Sequence, residues 1–158
     1  MKEKAIKQLE ERGVTIRDIS KIVLEIQKEY QKLTYEECDQ AVLKVLNKRE
    51  VIHTILVGIT LDKLAEERKL DKILNEIILE DHGLFGIDEI LSLSIINMHG
   101  SIALTNFGYL DKTKLGIIGK LDKLSKDKKE CHTFLDDIIA ALAASAASRL
   151  AHSTNDNL

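Results

Sequence analysis

The sequence predicts a single all-α domain, a bundle of about six helices over residues 1–152, followed by a flexible tail at 153–158. Three observations predict it. No proline occurs among the 158 residues, so no ring forces a helix to break. Apolar residues recur at three- and four-residue steps in one window after another, and no run alternates with the period of two that a half-buried strand needs. No stretch before the closing STNDNL has the composition of a linker.

The elements follow in order. Thr15-x-x-Asp18 starts the first helix, along which Ile16, Ile19, Ile22, Val23, Ile26 and Tyr30 repeat on one side. Thr34-x-x-Glu37 is a capping box, because hydroxyl and carboxylate each satisfy a backbone donor of the other; it opens a helix carrying Cys38, Ala41, Val42, Val45 and Leu46. A third, from Arg49 to Arg68, buries Val51, Ile52, Ile55, Leu56, Ile59 and Leu64, and a short fourth presents Ile73, Leu74, Ile77 and Ile78. GLFG at 83–86 interrupts the pattern. A long helix begins near Ile87, a Gly- and Lys-containing connection covers 107–130, and a last long helix starts near Thr133. That helix is rich in alanine and serine between Ala140 and Ser148, which lets neighbouring backbones approach closely; it reads as a central helix or as a contact in a homo-oligomer.

At this length one core is expected. A formal net charge of −3 and an aromatic content of 4% give no reason to expect nucleic acid as a partner. Cys38 and Cys131 lie far apart without a C-x-x-C spacing, as free thiols of a reducing compartment do. The N-terminal MKEKAIKQLEERG is amphipathic and charged, unlike a secretory signal, so a cytoplasmic location is expected. From Ile90 to Leu110 no residue carries a formal charge, but Asn97, His99, Ser101, Thr105 and Asn106 would face lipid in a spanning helix; the segment reads as a buried core helix rather than a transmembrane one.

Two acidic doublets carry the chemistry. Asp88-Glu89 in GIDEILSLS and Asp136-Asp137 in HTFLDDIIAALAAS each stand at the head of an apolar helix. Taken singly, either doublet is explained by first-turn acids complementing the helix dipole. Brought together at low exposure they would repel by about 4 kcal/mol per pair at about 4 Å and an effective dielectric of about 20, so a cation or shared protons must compensate. Carboxylates of this kind suit a hard divalent ion such as Mg²⁺, and no cysteine cluster or H-E-x-x-H points to zinc. If the helix stays continuous past Gly100, then Asp88, Ser92, His99 and Asn106 form one polar stripe. Between the doublets, Asp111, Lys112 and Lys114 lie beside Gly116 and Gly119, where lysines can meet phosphate oxygens and the glycines permit close backbone approach.

In this order the motifs resemble the phosphatidylglycerophosphatase A family, especially its small branch in Gram-positive bacteria without membrane segments. The membrane-bound branch has D-E before a helix, then F-D-x-x-K-P-x-P-I, then D-D-x-x-A. Here Asp88-Glu89, Leu110-Asp111 with Lys114 and Ile118, and Asp136-Asp137 with Ala140 occupy those places. The smaller branch is matched through GIDEILSLSI, TNFGYLDKTK, GIIGKL and CHTFLDDI. Ile87 stands where a tryptophan is usual, Leu115 and Ile117 where the prolines fall, and a four-helix stretch before Gly83 replaces the glycine- and proline-rich N-terminal loop.

The resemblance implies a Mg²⁺-dependent phosphomonoesterase acting on phosphatidylglycerophosphate, with a substrate reached peripherally at the inner face of the membrane. Its metal ligands would be Asp88, Glu89, Asp136 and Asp137; its catalytic groups Asp111, Lys114, His99 and His132; its phosphate-binding groups Lys112, Lys114 and Asn106. Whether Asp111 or a water attacks stays open. Two other readings compete: an all-α nucleotide pyrophosphohydrolase, for which Glu76-x-x-x-Glu80, Glu36-Glu37 and Glu66-Glu67 would be the acids, and a non-catalytic oligomeric helical protein.

Overall fold

A computed structural model describes residues 1–153, and over them every regular element is a helix. The helices are α1 (Lys2–Glu11), α2 (Ile16–Gln27), α3 (Tyr35–Val45), α4 (Arg49–Glu66), α5 (Lys72–Leu79), α6 (Ile87–Ile96), α7 (Gly100–Thr113), α8 (Ile117–Lys126) and α9 (Leu135–Ser153). The expected single all-α domain is therefore present, with nine helices among the described residues instead of six. Each additional helix has a local cause. The amphipathic N-terminus forms α1, burying Ala5 and Leu9. The long helix from Ile87 stops at Asn97, and Gly100, with φ +80, starts α7. The Gly- and Lys-containing connection contains α8, which buries Ile118 and Leu121. Ser153 closes α9, and the rest of the expected tail, 154–158, lies outside the described residues.

Local signals placed the starts of α2 and α3. Thr15 accepts from the Asp18 amide while Asp18 accepts from the Thr15 amide, and Thr34 and Glu37 do the same. Apolar periodicity was less exact at helix ends. Tyr30 lies beyond α2 and is exposed, and Ile73 and Leu74 face outward while Asn75 is buried, donating to the Ala65 carbonyl at 3.1 Å. The uncharged span from Ile90 to Leu110 is not one buried core helix: it is divided between α6 and α7, and Ile90, Ile102, Leu104 and Tyr109 are exposed. No helix of the described residues is long and apolar enough to cross a membrane. Both cysteines are free and buried.

The core is built around α9, which touches α2, α3, α4, α6, α7 and α8. Its residues Leu135 to Ser148 are buried without interruption, and the run of small side chains lets so many neighbours pack around one helix at once. Gly58 shows how close α4 comes: a Cβ there would overlap Ile138 Cδ1 and sit 3.2 Å from Phe134 Cβ.

The head of α9 has no capping side chain of its own. Asp62, fully buried on α4, supplies it, accepting from the amides of Phe134 at 3.1 Å and Leu135 at 3.0 Å. A helix N-terminus leaves its first amides without intrahelical partners, and here a carboxylate distant in sequence meets two of them. Thr133 adds a bond to the Ile78 carbonyl at 2.7 Å. The start of α9 is thus pinned to α4 and α5, which fixes where Asp136 and Asp137 point.

Candidate metal centre

The two doublets converge. Both lie in first helical turns, Asp88-Glu89 on α6 and Asp136-Asp137 on α9, and α6 packs along α9. In each, the first acid turns back on its own helix: Asp88 Oδ1 accepts from the Glu89 amide at 3.0 Å, and Asp136 Oδ1 from the Asp137 amide at 2.8 Å. Carboxylate oxygens of Asp88, Glu89 and Asp137 lie within 4.8 Å of one another, Asp88 and Asp137 being buried.

Asp136 takes a different partner from the other three. Its Oδ2 accepts from Lys114 Nζ at 3.0 Å, and the same ammonium donates to Asp111 Oδ1 at 2.8 Å and stands 3.9 Å from Asp137 Oδ1. Burial would depress the lysine pKa, but Asp136, Asp111 and Asp137 together hold it above its ordinary value. The carboxyls respond oppositely. Burial, with repulsion from Asp136 next, pushes Asp137 up to about 10; burial, with repulsion from Glu89, pushes Asp88 up to about 6; burial pushes Asp136 up to about 7 against the pull of Lys114. Without a cation, Asp136 and Asp137 keep their protons to higher pH than isolated carboxyls do.

Lys114 owes its position to backbone geometry. It adopts the left-handed conformation, φ +50 and ψ 50, at the end of α7, a conformation that strains a side-chain-bearing residue. Gly119 of α8 backs onto it so closely that a Cβ would overlap the Lys114 carbonyl oxygen. The close approach expected of this glycine is thus made to the protein's own backbone. Gly119→Ala is expected to displace Lys114 and lower any phosphohydrolase turnover by about 10-fold or more while leaving far-UV circular dichroism unchanged; an unchanged rate in that variant would show that the lysine's placement does not matter.

Two acids that the sequence reading missed lie within electrostatic range, Asp81 of Asp88 and Asp136, and Asp122 of Asp81. Asp81, in the left-handed conformation after α5, has its pKa raised first by desolvation and then by Asp88, with Lys114 and Asp122 also in range. Asp122 is paired with Lys126 at 2.7 Å. Asp81 follows Glu80, but that pair closes α5 instead of opening an apolar helix, and Asp122 stands alone, so only the fold reveals them. Ser92, one turn along α6 from Asp88 and on the same face, is fully buried, and its hydroxyl lacks a hydrogen-bond partner among the described residues.

Other residues singled out in the sequence lie elsewhere. The break at Asn97–His99 divides the polar stripe, and His99 lies beyond Ile96, the end of α6, which is itself about 12 Å along the helix from Asp88 at 1.5 Å per residue. Its Nδ1 pairs with the Ile95 carbonyl at 3.1 Å, and its carbonyl accepts from Ser148 at 2.8 Å. Asn106 lines a separate groove of about 600 Å³ with Gln27, Tyr30, Ile102 and Thr105. His132 is buried between Glu130, 2.6 Å from Nε2, and Arg12, 3.3 Å from Nδ1; burial and then Arg12 lower its pKa. Lys112 is exposed in the last turn of α7. The acids of the pyrophosphohydrolase reading are dispersed: Glu37 caps α3, Glu36 and Glu67 pair with Arg17 and Lys69, Glu66 binds Arg12 and the Cys131 amide, and Glu80 pairs with Lys128.

The donor set fits a hard divalent cation. Three carboxylates offer oxygens at mutual distances one ion can bridge, with neither thiol nor imidazole among them. The sequence model of phosphatidylglycerophosphatase A matches residues 7–152. The chain belongs to the phosphatidylglycerophosphatase A family. It is 55% identical to YpjQ of Bacillus subtilis over 94% of this chain and 82% of that protein, and 50% identical to YutG of the same organism over 96% and 91%. Both are described as uncharacterized proteins. The crystal structure of the low temperature requirement C protein of Listeria monocytogenes superposes with a TM-score of 0.94 at 52% identity, covering 98% of this chain and 97% of that one. The match to the phosphatidylglycerophosphatase A family thus runs from α1 into α9 and takes in both acidic doublets and Lys114.

Proposed function

We propose that this member of the phosphatidylglycerophosphatase A family is a Mg²⁺-dependent phosphomonoester hydrolase that releases orthophosphate from phosphatidylglycerophosphate, met at a membrane surface without insertion. The observation that carries this reading is the convergence of Asp88, Glu89 and Asp137 from α6 and α9 within 4.8 Å. Their repulsion is about 3 kcal/mol per pair at an effective dielectric of about 20, and a cation would offset it. Bound there, Mg²⁺ would supply Lewis acidity and charge neutralisation toward phosphoryl oxygens. An ammonium has three donors; Lys114 commits two to Asp111 and Asp136 and keeps the third for a phosphate oxygen. To Asp111, which accepts from Lys114 at 2.8 Å, we assign either attack on phosphorus or removal of a proton from an attacking water. Asp81, within electrostatic range of Asp88 and Asp136, is the further carboxyl we assign to the centre in place of His99 and His132.

Release of orthophosphate from phosphatidylglycerophosphate, glycerol phosphates and nucleotides, each with Mg²⁺ and with chelator, tests the proposal. The expected result is Mg²⁺-dependent orthophosphate from the lipid monoester. Pyrophosphate from nucleotides would overturn it in favour of a pyrophosphohydrolase, and no release from any substrate would favour the non-catalytic reading.

A further inference from the structure

We infer that the Lys114 ammonium is a built-in counter-ion standing where a second divalent cation would otherwise sit, so that the centre takes a single ion, on Asp88, Glu89 and Asp137. This rests on reading the centre as a metal site, and adds to it the number of ions and the reason for the lysine.

The carboxylates of α6, α7 and α9 fall into two sets by distance. Asp111 and Asp136 each lie within hydrogen-bond reach of Lys114 Nζ, at 2.8 and 3.0 Å. Asp136 also spends its other oxygen on the Asp137 amide at 2.8 Å, so both of its oxygens already have donors. Asp88, Glu89 and Asp137 form the second set, and the lysine approaches only Asp137 of these, at 3.9 Å. Asp137 therefore stands between the two sets. An ion held by the second set and the ammonium held by the first would flank it, as paired ions about 3.5–4 Å apart flank the reacting group in two-metal phosphoryl centres.

The ammonium is also held there by construction. Lys114 keeps a left-handed backbone at the close of α7, and Gly119 leaves no room for its carbonyl to move toward α8. A lysine that only solvated the surface would need neither device. Unlike a bound ion, a side chain cannot dissociate, so Asp111 and Asp136 stay compensated whether or not the other position is filled.

Mn²⁺ titration of the whole chain, followed by the electron paramagnetic resonance of the free ion, reads the stoichiometry without substrate. Wild type is expected to bind about one Mn²⁺ per chain and Lys114→Ala about two. Adding Asp111→Asn to Lys114→Ala should remove the second ion, and Lys114→Arg, which keeps the charge, should stay at about one. Two ions on wild type, or no gain in Lys114→Ala, would overturn the inference and leave the metal reading standing; no ion on wild type would overturn both. If Lys114→Ala is unfolded in metal-free buffer, Mn²⁺ is expected to restore its helical circular dichroism at about two ions per chain, and failure to restore it counts against the inference.

Discussion

Asp137→Asn will lower Mg²⁺-dependent phosphate release by about 10²–10³-fold, the equivalent of about 3–4 kcal/mol of transition-state stabilisation, and will raise the melting temperature of the metal-free protein at pH 8. The two effects share a cause. Burial and the neighbouring Asp136 push Asp137 up to about 10, with Asp136 at about 7 and Asp88 at about 6, all above the ordinary carboxyl range near 4. A carboxyl whose folded pKa is raised contributes stability that is fully present below its unfolded pKa and is lost as pH rises through the folded value. Metal-free wild type should therefore lose stability from these groups between about pH 4 and pH 10. The amide that replaces the Asp137 carboxyl does not titrate, so the variant's advantage grows as pH rises from about 4 toward about 10 and is larger at pH 8 than at pH 5. Mg²⁺ at about 100 times its Kd should then stabilise wild type by about 2.7 kcal/mol, or about 5–10 °C for a chain of this size, and the variant by less. If Asp137 acted only on the helix dipole, the substitution would instead cost about 0.3–1 kcal/mol and leave turnover intact. Melting curves with chelator and with Mg²⁺ at pH 5 and pH 8, together with phosphate release, separate the two.

Asp62→Ala will destabilise the fold by about 3–5 kcal/mol, leaving the amides of Phe134 and Leu135 buried without an acceptor. Urea denaturation of the metal-free protein measures it. Asp62→Asn should lose less, because an amide oxygen can still accept from one of the two. A loss below about 1 kcal/mol in Asp62→Ala would show that the head of α9 is satisfied by other groups. The stake is functional as well as structural, since this cap orients the turn that carries Asp136 and Asp137.

Much of this protein was legible in its residues taken in order. The capping boxes at Thr15 and Thr34, the apolar steps along α2, α3 and α4, and the absence of proline specified helices because they act through contacts within one or two turns. The doublets and Lys114 were legible for a similar reason: each is a compact cluster of charge in an apolar setting, and their order matches the phosphatidylglycerophosphatase A pattern. Helix number was not legible in full, because Gly100 and the lysines of α8 look the same in a break, a connection or a helix until packing chooses. The tertiary structure alone decided the partners. It joined Asp137 to Asp88 and Glu89 and gave Asp136 to Lys114. It brought Asp81 within electrostatic range of Asp88 and Asp136, and it placed His99 and Asn106 away from the acids and His132 in a pairing with Arg12 and Glu130. It assigned Asp62 to cap a helix some seventy residues away. Those choices depend on which helix faces cross and at what depth, and local periodicity carries no record of either.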